Sequence, residues 1–596
     1  MKTCDSVYLV ILLMGFFARV CASETLVPIP VYDLTGNITE SGMGEVGLLN
    51  FSPNPQRPIT HYDVVTSMQR VTEMEEIRAI VVEVDQANFS LAQLQEIKRA
   101  MALVKDAGKE VWLYSDILSF KTALLGSAAS QFIVNPEGSV SMSGLYSENM
   151  YFKGLLDKVG VEVDVVHVGD FKSAGENYYR AGPSEASLKQ SEILLDSLYV
   201  SLLTEIAVGR GVTRDSLQSF IDEGVATVEV AEELGLVDRL QCRTDLVLEL
   251  QKVYGEEQVF DRNYVRNGEK QPEIGGFFDL MKLLFSSGKN SKPTEDYVAV
   301  VVFEGGIDLV SIDPVREEIL RLMDEEKCRA LVLRISSPGG SALASEILWE
   351  AIDEFSQTER PVVVSMGAVA ASGGYYIASG ADVIFADPMS ITGSIGVVGM
   401  KVALGEMMEK VGITTHAIQK GKHADLYNST RPFSRNERKI VRESMLDVYG
   451  TFKKRIIEGR GERLVGDLEK LARGRVYSGR DALRVGLVDE MGGLNDAIAK
   501  AAELADLEDV QSLMFPEPKS AFDSLFETQG DAGSDHFLSL QSVRKPFSWI
   551  PELIQEEGIL AFLPEEKRRE VVAGLHQLRI LEEDRIQLLA PPLPRF

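Results

Sequence analysis

The chain has 596 residues, 45% of them hydrophobic and 25% charged, the proportions of a globular protein rather than a disordered one. Acidic residues outnumber basic ones by 90 to 61, for a net charge of −29. That balance argues against nucleic acid as a partner, because phosphate binding calls for a basic footprint.

The N-terminus carries Lys2 and then an apolar run from Val7 to Phe17. The run is too short to cross ~30 Å of hydrocarbon at ~1.5 Å per residue. Val20-Cys21-Ala22 places small residues before a cut at Ser23, the pattern of a secretory signal peptide over residues 1–22. Asp5 and Arg19 are charged where that pattern usually is not, so an uncleaved short anchor stays open as the alternative. Ala18-Arg19-Val20 ahead of Cys21 is a poor lipobox. Removal of the signal leaves only Cys242 and Cys328, so the exported protein does not depend on a cystine framework.

Residues 23–245 alternate strand-like and helical runs: strand Ile77–Val84, helix Leu91–Lys105, strand Glu110–Tyr114, and a long helix Ser187–Ala207. Residues 246–296 are polar except for Gly275–Gly288, where Phe277, Phe278, Leu280, Met281, Leu283, Leu284 and Phe285 crowd together. This reads as a helix docked on a partner domain or as a membrane-surface contact. The membrane reading is weakened by a single Lys282 and no basic face. Residues 297–510 resume the alternation: strand Val298–Phe303, helix Pro314–Glu326, strand Ala330–Ile335, helix Ala342–Phe355, strand Pro361–Ser365, and a long helix Arg435–Glu458. Strands alternating with helices of this length imply parallel βαβ units and an α/β fold. The tail, 511–596, reads as a flexible loop at Gly530–Asp535 and a charged helix at Glu565–Leu589.

The two large segments are one unit written twice. Arg329–Ile335 echoes Arg78–Val84, Asp387-Pro388 echoes Asn135-Pro136, Glu409–Gly412 echoes Asp157–Gly160, and Gly486–Asp489 echoes Gly235–Asp238. A period of about 250 residues is too long for a solenoid and implies two tandem domains of one fold.

The copies differ where chemistry would sit. The second has Ser337-Pro338-Gly339-Gly340 after one strand and Ala371-Ser372-Gly373-Gly374 after another; the first has Gln86-Ala87-Asn88-Phe89 and Ser119-Phe120-Lys121-Thr122 there. The first has Lys172 near Gly169, where the second has Ala424 near Gly421. A serine with a glycine loop in one copy and a lysine in the other point to one composite site. Glycines at a strand-to-helix junction let backbone N–H groups turn outward and stabilise an oxyanion. Gly339, Gly340 and Gly373 are the candidates. Taken singly, each motif has a plainer reading: Pro-Gly-Gly as a turn, Ala-Ser-Gly-Gly as close helix packing, Lys172 as solvated surface.

Ser394, in Thr392-Gly393-Ser394-Ile395-Gly396, is the rival serine. Its counterpart is Met142, so it reads as a structural turn near the cleft. For Lys172 to act as a base its pKa must fall from ~10.4 towards about 7–8, roughly 4 kcal/mol of burial and neighbour effects, which a domain interface can supply. His423, beside Ala424, leaves a Ser372–His423 pair open. No histidine is followed by glutamate, so a zincin helix is absent, and the reading needs no metal or cofactor.

At Ser336–Ser341, Ala370–Tyr376, Thr392–Gly396 and Gly169–Ala174 the chain resembles the signal peptide peptidase A (protease IV) family, long tandem-repeat form, peptidase family S49. The similarity covers most of residues 26–510. It implies a Clp-protease/crotonase-like spiral ββα fold in each copy, and a dyad with Ser372 as nucleophile and Lys172 as base. It also implies a bowl-shaped homotetramer, periplasmic or on the outer face of the cytoplasmic membrane, that cuts released signal peptides. One departure stands out: the long form is usually held by an N-terminal transmembrane helix, and this chain's apolar run is shorter. Because fold does not dictate function, a crotonase-like acyl-CoA enzyme and an inactive scaffold are the competing classes.

Overall fold

The computed structural model describes residues 28–35, 38–40, 59–85, 88–255, 260–266, 293–508, 511–515 and 586–591. The expected signal peptide, the apolar stretch Gly275–Gly288 and the loop Gly530–Asp535 lie outside them. Among the described residues no helix is long and apolar enough to cross a membrane.

The chain adopts the α/β, doubled architecture expected from its sequence. The first copy builds a six-stranded parallel sheet from Ile29–Asp33, Ala79–Glu83, Glu110–Ser119, Gln131–Ser141, Arg239–Leu240 and Phe260–Asp261. The second builds a mostly parallel sheet whose centre is Tyr297–Glu304, Cys328–Ser337 and Val362–Ala371. Glu110–Ser119 shifts register against Gln131–Ser141 between Ser115 and Ile117, and Val362–Ala371 shifts against Cys328–Ser337 between Met366 and Ala370. Both sheets run past the boundaries the sequence suggests. Phe260–Asp261 closes the first sheet beside Ile29–Pro30, and Ser512–Phe515 adds a parallel edge to the second beside Val298–Val301.

Side-chain caps start the helices. Ser90 and Gln93 form a capping box at Leu91–Asp106, and Ser434 and Glu437 form one at Arg435–Arg460, each satisfying backbone N–H groups the helix leaves orphaned. The helix expected from Pro314 begins at Leu309 and includes Pro314. Asp308 sets the start by accepting from the N–H groups of Val310 and Ser311, each at 2.8 Å.

The copies interlock. Glu162–Val168 leaves the first copy's sheet and pairs antiparallel with Val397–Ala403 of the second over seven positions. Its side chains Val163 and Val165 pack with Val398, Met400 and Val402 in a shared apolar cluster. A buried ionic cluster adds a second tie. The fully buried Arg334 meets Glu40 at 2.9 Å and Glu96 at 2.6 Å, and Arg99 pairs with the buried Asp387. Burial alone would raise the Glu96 carboxyl, but Arg334 overrides it and holds it well below the usual carboxylate range.

Residues 587–589, expected at the end of a charged helix, instead form a strand. Gln587–Leu589 lies antiparallel to Gly339–Ser341 and also touches Val398. Pairing with a distant segment has overridden the local helical pattern.

Candidate active site

Ser372 sits where strand Val362–Ala371 turns into the helix Gly373–Ala378. Its φ of 57° and ψ of −111° place a residue with a Cβ in a sparsely populated region that costs roughly 1–3 kcal/mol. Two backbone bonds hold it there: Ser372 N–H donates to Gly393 O at 2.7 Å, and Tyr376 N–H donates to Ser372 O at 2.8 Å. Its side chain makes no capping bond to its own helix.

Lys172 approaches from the first copy, directly after the strand that crosses between the copies. Gly169, at φ 109°, turns the chain, and Lys172 N–H closes the turn on Gly169 O at 3.2 Å. The second copy walls the lysine in. Phe171 N–H donates to Arg473 O at 2.9 Å, and Gly474, at φ 85°, packs so closely that a Cβ there would collide with the Lys172 backbone. Gly396 leaves room for the stem, since a Cβ on it would stand 3.2 Å from Lys172 Cδ.

The side chain of Lys172 is 1% exposed and Ser372 is fully buried. Lys172 Nζ lies 2.7 Å from Ser372 Oγ, 2.7 Å from Ser394 O and 3.0 Å from Ser394 Oγ. Burial pushes the Lys172 amine well below its ordinary pKa. A charged ammonium offers three donors and no acceptor. A neutral amine in the same place donates twice, to the two Ser394 oxygens, and keeps a lone pair facing Ser372 Oγ.

The three glycines divide in role. Gly339, at φ 100°, lies against both Gly373 and Ser372: a Cβ on it would stand 2.8 Å from Gly373 N and 3.0 Å from Ser372 Cβ. Its N–H, however, donates to Ser337 Oγ at 3.1 Å, so Gly339 contributes conformation and close approach while its donor is engaged elsewhere. Gly373 is the first residue of its helix, and the helix itself leaves that N–H without an acceptor. Gly340 lies one residue on in the strand Gly339–Ser341, opposite Leu588.

The structure therefore brings Ser372, Lys172, Gly339, Gly340 and Gly373 together. It does not bring His423 to them: His423 is exposed, whereas Ser372 is buried and bonded to Lys172. Ser394 is more than a nearby turn. Among the described residues it supplies two of the three oxygens that accept from the amine. Comparison of the copies hides this, because Met142 stands at its repeat position, and the contact depends on a pairing between the copies that only the structure shows. Among the described residues no cluster of histidine, cysteine or carboxylate side chains is arranged to hold a metal.

The family model described as peptidase family S49 matches residues 104–256 and again 354–508, one match in each copy. A chloroplastic serine protease SPPA of Arabidopsis thaliana is 31% identical over 72% of this chain, and the match spans 64% of that protein's length. Protease 4 of Haemophilus influenzae is 30% identical over 76% of this chain and 74% of its own, and protease 4 of Salmonella typhi is 30% identical over 75% and 72%. With both copies matched, and with relatives named as proteases along three quarters of its length, the chain belongs to peptidase family S49 and is a serine protease by family.

Proposed function

We propose that the chain is an endopeptidase working through a Ser372–Lys172 dyad. The observation that carries this reading is the 2.7 Å approach of Lys172 Nζ to Ser372 Oγ inside a pocket where burial favours the neutral amine. Lys172 accepts the Ser372 proton as Oγ attacks a peptide carbonyl, and then delivers it to the leaving amine. Ser394 orients the amine throughout. The N–H groups of Gly340 and Gly373 hold the developing oxyanion, and Gly339 gives the loop its turn. Water releases the acyl group. No step requires a metal or cofactor.

The substrates on this reading are extended apolar peptides, released signal peptides among them. The edge of Gly339–Ser341 is suited to such chains, because an extended peptide binds a strand edge through its main chain. Export to the periplasm or the outer membrane face, the homotetramer and a membrane-surface contact belong to the same proposal through the family resemblance.

A serine-directed fluorophosphonate and a fluorogenic apolar peptide test it together. The probe is expected on Ser372, and peptide turnover is expected to vanish in Ser372→Ala. A chain that takes no label and cuts no peptide would instead be a thioester-binding relative or a scaffold.

A further inference from the structure

Lys172 and Ser394 meet from different copies, and one short segment of the second copy touches both. Residues 473–475 bond to the Lys172 loop on one side and to the Ser394 turn on the other. Arg473 O accepts from Phe171 N–H at 2.9 Å. Arg475 O accepts from Ser394 N–H at 2.5 Å, and Gly474 N–H donates to Ile395 O at 2.7 Å. Both serines that face the amine sit at positive φ, Ser372 at 57° and Ser394 at 53°, and Arg473 does so at 60°. Residues with a Cβ avoid that region unless their surroundings hold them there.

Backbone bonds are open to any residue type, and it is a side chain that singles out Arg475. Its guanidinium lies over the ring of Phe171, 3.8 Å from the centroid, and its Nε donates to Lys470 O at 3.0 Å. Phe171 is the residue directly before Lys172. Arg475 therefore grips the lysine's neighbour with its side chain and Ser394 with its carbonyl. Both members of the stack are half-buried, so it lies where the protein meets solvent, beside a lysine that is 1% exposed. Counting back from the repeated Gly-Leu-Val-Asp, the first copy has Gly224 in the place of Arg475. We propose that Arg475 is a positioning residue for the dyad, setting the Lys172 amine against its oxygens and closing that side of the site to water. The proposal rests on the Ser372–Lys172 reading.

A loosened stack has a signature beyond lost stability. Burial is the cause that lowers the Lys172 pKa, so water admitted beside the amine raises it again. The other charged or titratable groups along this loop are Asp170, paired with Arg473, His167, whose Nδ1 lies 3.0 Å from Gly169 O, and Arg442, which donates to His167 O at 2.9 Å. They are retained in every variant below, so a change in the pH profile reports the stack.

The test is steady-state kinetics of the full chain on one fluorogenic peptide, with active sites counted by fluorophosphonate titration. Arg475→Ala and Phe171→Leu should each lower kcat per active site by about two- to thirtyfold, the range of a cation–π contact, with KM little changed. Each should also move the rising limb of the pH profile to higher pH. Arg475→Lys keeps the cation without the planar stack and should fall between Arg475→Ala and the wild type. The double variant should be no worse than the poorer single one, because both remove the same contact. Phe171→Leu reads that contact by itself if Arg475→Ala does not fold. Unchanged kcat and an unmoved limb in the single variants overturn the positioning role. So do additive losses in the double variant, or a loss accounted for by fewer titrated sites with the limb in place. A wild-type chain that takes no label, or a Lys172→Ala variant as active as the wild type, overturns the dyad itself.

Discussion

Ser119 and Ser372 stand at the same strand-to-helix junction of the two copies, yet only Ser119 caps its helix. Ser119 has an extended backbone at φ −126°, and its hydroxyl accepts from Thr122 N–H at 3.2 Å. Ser372 has φ 57° and no capping bond, and its hydroxyl faces Lys172 instead. A serine whose backbone is held in a strained turn cannot satisfy its own helix. The strain therefore keeps Oγ available to an amine from the other copy.

The two serines around Lys172 should respond differently to truncation. Ser372→Ala should abolish turnover and labelling. Ser394→Ala removes one of the two Ser394 contacts to Nζ and keeps the carbonyl. A neutral hydrogen bond is worth about 0.5–1.5 kcal/mol, so kcat should fall by only about two- to tenfold with KM little changed. Steady-state kinetics on one fluorogenic peptide distinguishes them, and equal losses in the two variants would remove Ser372 from its special role.

Lys172→Ala should lower kcat by ~10²–10⁴-fold, the usual contribution of a general base, while His423→Ala should leave it unchanged. An active Lys172→Ala beside an inactive His423→Ala would reverse the assignment of the base.

The pH profile follows from the direction of the lysine shift. Burial lowers the Lys172 pKa, and only the neutral amine accepts a proton, so kcat/KM should rise with pH through that lowered value. The unfolded chain holds the proton up to about 10.4, so folding must release it, and this group opposes folding at neutral pH. Lys172→Met should accordingly raise Tm at pH 7, with the gain shrinking as the pH approaches about 10.4. Thermal melts at several pH values check it, and a pH-independent gain would contradict the burial of a neutral amine.

Arg334→Met should be costly. It strands the carboxylates of Glu40 and Glu96, both nearly inaccessible, and breaking a buried pair from one side typically costs about 3–5 kcal/mol. Because Glu96 is held below its ordinary pKa, its stabilising share is present at neutral pH and lost as pH falls towards its folded value. Denaturant unfolding of the variant, which should recover part of the loss in a double change with Glu96→Gln, provides the measurement.

Much of the candidate site's geometry was legible because the repeat makes each copy a control for the other. Ser372, the glycine loop and Lys172 emerge as the positions where the copies disagree. The same comparison misreads Ser394, whose value lies in a contact to the other copy that its own repeat position does not share. The engagement of the Gly339 N–H by Ser337 depends on where a hydroxyl turns within a two-residue span, which no pattern records. Leu309–Met323 starts five residues before Pro314 because Asp308 caps it, and a proline inside the helix masks that start. Residues 587–589 were misread for a different reason: they end a segment with a helical pattern, and their strand exists only through partners far away in the chain.

The crossing strand Glu162–Val168 has a consequence in time. The lysine is synthesised first, Ser372 follows 200 positions later, and the wall formed by Arg473 and Gly474 comes later still. At about 5–20 residues per second, roughly 15–60 s separate the emergence of the base from that of the pocket that desolvates it. Throughout that interval Lys172 is hydrated and charged, and so useless as a base. On the proposed dyad, a ribosome-bound chain is thus harmless to its neighbours until nearly all of both copies has been made.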